Sequence, residues 1–139
     1  MNAQSDRWKQ YLSVAVFAIL GALARQGVEI LLPPIPGNGF PLATLLINWS
    51  GAFFLAWFYT ITIWRWRLPQ WLRTGVGTGF VGSYTTFSTF MVESDGLFAH
   101  GAPQVAVLYL ALSLLGGFAL ALLGVRLAGE KTEEKILDQ

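Results

Sequence analysis

The stretch that decides the fold is residues 75–90, which read GVGTGFVGSYTTFSTF. It lies inside a longer, mostly apolar segment over residues 71–98, and its first eight positions include Gly75, Gly77, Gly79 and Gly82. Glycine and the β-branched and hydroxyl residues that follow are poor helix formers. Two interpretations are open. Small residues such as Gly75 and Gly79 can let two helices pack closely, or the helix can be broken in the middle of a membrane. A break is tolerated there only where it is buried in protein or lines a water-filled cavity.

The composition of the whole chain is that of an integral membrane protein. Of its 139 residues, 54% are hydrophobic and 12% are charged, and this charged share is about half that of soluble proteins. A small soluble domain has too much surface to cover with so few charges, and disordered chains are rich in charge. A net charge of +1 gives no general basic field for nucleic acid.

Nucleophilic and metal chemistry have few residues to use in this sequence. There is no cysteine, which excludes disulfides, thiolate metal sites and a cysteine nucleophile. The single histidine, His100, lies in a polar turn. We therefore do not expect an enzyme.

Four stretches satisfy the need of a transmembrane helix for about 20 mostly apolar residues. They cover residues 11–32, 40–64, 71–98 and 102–127, and a polar tail follows over 129–139. The prediction is one all-α membrane domain over residues 1–139, with four transmembrane helices of which the third is broken at mid-membrane.

Polar side chains at membrane depth are the candidate functional residues, because they are costly there. Asn48 lies near the middle of the second span, where it either bonds two helices together or lines a pore. Tyr109 and Ser113 are four residues apart on the fourth span, with Gly117 next in the row. A lone hydroxyl on a helix often only bonds the carbonyl four residues back. Arg25 and Glu29 share the same spacing and can pair.

Three blocks of the sequence resemble the signature of the Fluc (CrcB-type) fluoride channels. They are Gly79 to Phe90 with Glu93 after it, Gly21-Ala22-x-x-Arg25, and Thr44-Leu45-x-Ile47-Asn48-x-x-Gly51. The resemblance covers nearly the whole chain, and its Thr-Thr-Phe-Ser-Thr-Phe core is the most specific part.

The resemblance implies a small channel that lets F⁻ leave the cytoplasm passively and so relieves fluoride toxicity. It implies an antiparallel, inverted dimer of four-helix subunits in the cell membrane of a prokaryote, with two pores. It also implies a structural Na⁺ at the centre of the dimer that is not transported.

Carried over by motif, the resemblance assigns roles to individual residues. Phe87 and Phe90 would be pore phenylalanines, whose positive ring edges could face the anion. Asn48 would be the pore amide, and Thr86, in the same run as the phenylalanines, would be a further residue of the anion path. Arg25 would be a cation near the pore mouth.

Two further assignments concern the metal ion and the last helix. Gly82 and Thr85 would offer backbone carbonyls to Na⁺, and we expect non-helical backbone from Gly82 to Thr85. Tyr109 and Ser113 would belong to a polar track, which this chain continues with Gly117 where the family has a serine.

These residue types suit a small, strongly hydrated anion. Amides and hydroxyls can replace its water, and the candidate pore residues are neutral, so binding can stay weak enough for the ion to leave. Two alternatives come from other classes. One is a small proton-coupled drug exporter, which needs a carboxylate in the first span, and here Arg25 can neutralise Glu29. The other is a structural subunit of a larger complex, which leaves the residue 85–90 run unexplained.

The distribution of positive charge predicts an orientation. Eight of the nine Lys and Arg residues fall on the side shared by the two termini, and the opposite loops contain none. This bias places both termini in the cytoplasm. Because an inverted homodimer calls for a weak bias, an oppositely oriented paralogue is a candidate partner, and self-pairing stays open.

Overall fold

The computed structural model describes residues 3–33 and 39–137, and these two ranges contain helices and no strands. In chain order the helical elements are α1 (Ala3–Leu31), α2 (Leu42–Trp64), α3 (Gln70–Thr74), a π-helical segment (Gly75–Val81), α4 (Gly82–Tyr84), α5 (Phe87–Ala99) and α6 (Pro103–Leu137). The prediction of an all-α chain is therefore confirmed for the described residues.

Within residues 3–33 and 39–137, three helices are long and apolar enough to cross a membrane. The qualifying parts are Arg7–Leu31 of α1, Leu42–Ile63 of α2 and Pro103–Gly129 of α6. Many of their large apolar side chains point away from the rest of the chain, as at Leu23 and Leu114, which are 64% and 72% exposed. Such surfaces are stable against lipid or another apolar protein surface. The chain is a multi-pass membrane protein.

Helix α2 packs along α6, and an indole fixes the contact. Trp49 donates from Nε1 to the Leu112 carbonyl oxygen over 3.0 Å. The ring lies against Gly116, where an added Cβ would fall on the indole. A Cβ at Gly124 would likewise lie 2.5 Å from the Phe53 carbonyl oxygen. Both glycines thus allow the two helices to approach closely.

Helix α1 packs against the π-helical segment through glycines on both sides. A Cβ at Gly79 would lie 2.7 Å from the Val14 carbonyl oxygen, and one at Gly75 would fall on Ser13. On α1, Gly21 directly faces the Phe80 backbone. The interpretation of Gly75 and Gly79 as close-packing residues is therefore confirmed.

The expected non-helical backbone from Gly82 to Thr85 is wrong for its first three residues. Gly82 has φ −62° and ψ −28° and donates its N–H to the Gly77 and Gly79 carbonyls. The backbone N–H and the hydroxyl of Thr85 both donate to the Val81 carbonyl oxygen, over 2.9 and 2.8 Å. These bonds continue the helical turn up to Tyr84, so extended backbone begins at Thr85.

Candidate functional site

The candidate site is built around two extended residues between α4 and α5. Thr85 has φ −78° and ψ 157°, and Thr86 has φ −146° and ψ 125°. Thr86 also caps α5, because its Oγ1 accepts a hydrogen bond from the Thr89 N–H over 3.2 Å. A threonine cap satisfies one of the free N–H groups at a helix start, so α5 begins at a fixed residue, Phe87.

Asn48 holds this interruption from α2. Its Nδ2 donates to the Thr86 carbonyl oxygen and its Oδ1 accepts from the Thr86 N–H, each over 2.9 Å. Thr86 is buried, so both of its backbone groups need such partners. Of the two interpretations of Asn48, helix-to-helix bonding is confirmed. A role as a pore amide stays a prediction that uses the same side chain, because Nδ2 has a second N–H.

The two predicted pore phenylalanines lie next to each other directly after the interruption. The ring centroids of Phe87 and Phe90 are 5.9 Å apart at an interplanar angle of 44°. Phe87 is 75% exposed, whereas Phe90 packs on Tyr109 with centroids 5.2 Å apart. Phe87 therefore presents its ring to whatever covers this face of the chain.

A cavity of about 320 Å³ opens beside the exposed ring. Its polar lining comes from Asn48, Thr85 and Thr86, and Phe87 supplies an aromatic wall. No charged side chain of the described residues lines it. Four of the residues that the sequence singled out, from α2, the interruption and the start of α5, are thus brought together around one neutral space.

Glu93 connects three helices, a role that the sequence analysis did not predict. Its Oε1 accepts from the Thr44 hydroxyl and its Oε2 accepts from the Tyr109 hydroxyl, each over 2.8 Å. Tyr109 is fully buried. The signal was present, since Thr44 and Glu93 belong to motif blocks and Tyr109 was a candidate, but no spacing rule joins positions on α2, α5 and α6.

The predicted polar track on α6 is only partly polar in its contacts. Tyr109 bonds Glu93 rather than the carbonyl four residues back. The Ser113 hydroxyl oxygen is buried and has no hydrogen-bond partner among the described residues. An added Cβ at Gly117 would meet nothing within 4 Å, so space remains where the family pattern has a serine.

Arg25 lies apart from the phenylalanines. Its Nε is 3.7 Å from Glu29 Oε1, and both side chains are about one-third exposed. The two residues line a second cavity of about 360 Å³ together with Thr44, Thr89 and Glu93. Glu29 is thus paired with a cation, which does not suit the free carboxylate that a proton-coupled exporter requires in its first span.

Comparisons with known proteins agree with the motifs. Residues 12–125 match the family described as CrcB-like protein, Camphor Resistance (CrcB). The chain is 44% identical over 126 residues to a protein named fluoride-specific ion channel FluC 2 of Geobacillus kaustophilus, covering 91% of this chain and 98% of that one. It is 47% identical over 112 residues to fluoride-specific ion channel FluC 1 of Desulfitobacterium hafniense, covering 81% and 96%.

The family match covers most of the chain, and these relatives are matched over nearly their full length. Identity at this level extends well beyond the residue 79–90 motif. The chain therefore belongs to the CrcB, or Fluc, family.

Proposed function

We propose that this protein is a fluoride channel and that it carries F⁻ passively out of the cytoplasm. The observation that carries the proposal is the position of Phe87 and Phe90 directly after the interruption, beside a neutral cavity lined by Asn48. Two relatives that this chain matches over nearly their full length are named fluoride-specific ion channels, which supports F⁻ as the ion. As a channel, the protein has no catalytic residues.

The neutral lining suits the proposed ion. A partly dehydrated fluoride ion needs hydrogen-bond donors, and the free N–H of Asn48 Nδ2 is available for this role. The edges of aromatic rings carry partial positive charge and hold an anion less strongly than an arginine does. Weak binding at several positions lets an ion leave as well as enter. Arg25, which pairs with Glu29, is the cation near the pore mouth and lines the second cavity. Tyr109 and Ser113 extend the polar path along α6.

In the membrane, we propose that residues 71–98 form the third of four spans, interrupted at Thr85 and Thr86 near mid-membrane. Subunits assemble as an inverted dimer in the prokaryotic cell membrane. The exposed ring of Phe87 supports a second subunit on this face. The partner is either a second copy or an oppositely oriented paralogue.

A structural Na⁺ at the dimer centre fits the backbone around the interruption. Because the Thr86 N–H donates to Asn48, the Gly82 carbonyl lacks the partner that a continuous helix would give it. Gly82 also has open space where a side chain would be. The carbonyls of Gly82 and Thr85 from each subunit would supply four oxygens, which suit a hard cation. Bound Na⁺ would join the two subunits.

The proposal is tested by ion efflux from liposomes that hold the purified protein. We expect F⁻ efflux far above Cl⁻ efflux and no transport of a cationic dye. Phe87→Ile and Phe90→Ile should each sharply reduce F⁻ efflux while the dimer still forms on size exclusion. Phe118→Ile is a matched control, because Phe118 is an exposed phenylalanine on α6. Native efflux in both pore variants would remove the phenylalanines from the path, and dye transport would favour an exporter.

A further inference from the structure

The segment that covers the turn after α2 and most of α3 has a composition unlike the rest of the chain. Residues 65–73 read RWRLPQWLR, with three arginines, two tryptophans and no acidic residue. We call this segment the basic aromatic loop. Arg65 and Arg67 are exposed, and Trp66 and Trp71 are 45% and 39% exposed. The loop lies at the same end of the helices as the start of α1, and it has no part in the site around Thr86.

Aromatic contacts hold the loop in a defined conformation. The Trp66 ring packs edge-on against Trp57 of α2, with centroids 5.7 Å apart. The N–H groups of Arg65 and Trp66 both donate to the Ile61 carbonyl oxygen, over 2.8 and 3.0 Å. The arginines of the loop are therefore presented from a structured turn, which lowers the entropy cost of binding a ligand.

Arg73 lacks an acceptor for a buried donor. Its guanidinium carbon lies 5.8 Å from the centroid of the Tyr59 ring. Its Nε is buried and has no hydrogen-bond partner among the described residues. A buried donor without an acceptor is destabilising, and more so when it is charged. The ring face stabilises the charge, but it does not accept the Nε–H in the plane of the guanidinium.

The described residues do not neutralise the positive charge of the loop. In the part of the chain that the structure describes, no carboxylate pairs with Arg65, Arg67 or Arg73. The pair between Arg25 and Glu29 lies near the far end of α1. Three guanidinium groups beside two tryptophans at the end of a membrane helix match the chemistry of a lipid headgroup. Arginine binds phosphate through paired N–H donors, and tryptophan favours the depth of the headgroups.

We propose that the basic aromatic loop binds the headgroup of an anionic phospholipid, whose phosphate accepts hydrogen bonds from Arg73 and from the exposed arginines of the loop. Trp66 and Trp71 pack against the glycerol and upper acyl region. The lipid contacts α2 through Tyr59 and α3 through Arg73, so it stabilises the junction of these helices. The inference rests on the chain being a membrane protein and does not depend on which ion it carries.

A loop whose positive charge served only to orient the chain in the membrane would respond differently to substitution. Such orientation depends on charge and treats lysine and arginine alike. A phosphate site built on Arg73 needs the planar guanidinium, because lysine has neither its paired N–H donors nor the flat surface that packs on Tyr59. Arg73→Lys therefore separates the two roles, since it preserves charge and removes the geometry.

The test uses the full-length protein purified in detergent and titrated with phosphatidylglycerol, followed by melting temperature and by native mass spectrometry of bound lipid. We expect phosphatidylglycerol to raise the melting temperature more than phosphatidylcholine, and inorganic phosphate to have no such effect. The apparent affinity should fall about fivefold in Arg67→Gln and by at least as much in Arg73→Gln and Arg73→Lys. Arg126→Gln removes one exposed positive charge from α6 and should bind like the native chain.

Several results would overturn the proposal. Equal stabilisation by the two lipids would show that the loop does not recognise headgroup charge. Equal stabilisation by inorganic phosphate would indicate a site for a free ion. Native affinity in Arg73→Lys would show that the loop acts only through its positive charge and not through a phosphate site built on the guanidinium. If Arg73→Gln does not fold, Arg67→Gln decides, because Arg67 is exposed, and native affinity in that variant counts against the loop.

Discussion

Replacing Asn48 with alanine tests whether this side chain is structural, conductive or both. The change removes two hydrogen bonds of 2.9 Å and leaves the N–H and C=O of Thr86 without partners in a buried position. Hydrogen bonds between membrane helices are worth about 0.6 kcal/mol on average, which sets a lower bound of about 1 kcal/mol for the pair. Each unsatisfied buried group costs about 1–3 kcal/mol, so for the two groups we expect a loss of about 2–6 kcal/mol.

Losing the two Asn48 hydrogen bonds should also change the position of Phe87. Thr86 caps α5 while Asn48 holds its backbone, so releasing Thr86 frees the first turn of α5 and the ring of Phe87. Both the stability of the purified protein and its F⁻ efflux should fall. Asn48→Asp keeps the acceptor for the Thr86 N–H but turns a carboxylate oxygen toward the Thr86 carbonyl, so it should be as damaging as alanine.

The assay compares denaturation of purified variants with efflux from liposomes at equal protein content. Thr60→Ala is a matched control on α2, because the Thr60 hydroxyl bonds only the Ala56 carbonyl one turn back on its own helix. We expect this control to stay within about 0.5 kcal/mol of the native stability. Native stability in Asn48→Ala with lost efflux would refute the structural role and leave a pore amide alone.

Three further predictions concern packing, the metal ion and orientation. Gly79→Ala should lower stability by about 1–3 kcal/mol because its Cβ would lie 2.7 Å from the Val14 carbonyl oxygen, whereas Gly27→Ala, which meets nothing within 4 Å, should leave stability unchanged on denaturation of the purified chain. Replacing Na⁺ with an organic cation should lower the melting temperature of the dimer, and a Na⁺-independent dimer would argue against the metal. Thr85→Ser should keep the dependence on Na⁺, whereas Gly82→Val should lose it because the valine side chain crowds the second subunit. Single cysteines at His100 and Gln70, both exposed, should be labelled from opposite sides of the cell membrane, whereas labelling of each from both sides would show dual topology.

The helices and the general location of the site were predictable from the sequence for clear reasons. Long apolar runs predict helices because a lipid-facing backbone must satisfy its own hydrogen bonds. The motif at residues 79–90 directed attention to Asn48, Phe87 and Phe90, and the structure brings Phe87 and Asn48 to one cavity and Phe90 beside it. The ends of the helices differ from the ends of the predicted spans, as at α6, which continues to Leu137.

The exact place of the interruption was not predictable, because it depends on a contact across the fold. Propensity marks the whole stretch from Gly75 to Thr86 as poor helix, and glycine alone does not choose among α, π and extended backbone. Asn48 makes the choice, since its amide replaces helical partners for the backbone of Thr86, 38 positions later. The two hydroxyl bonds to Glu93 were missed for the same reason.

The lining of the cavity beside Phe87 restricts what can cover its opening. Its lining includes the polar groups of Asn48, Thr85 and Thr86, and it opens at the surface of the chain next to a ring that is 75% exposed. If lipid covered this opening, the second N–H of the Asn48 amide would face hydrocarbon, where an unsatisfied polar group costs several kcal/mol. Water alone does not suit the apolar face of Phe87. A second subunit that leaves a narrow, partly hydrated passage satisfies both groups, and this is the physical reason to expect that one chain is half of the channel.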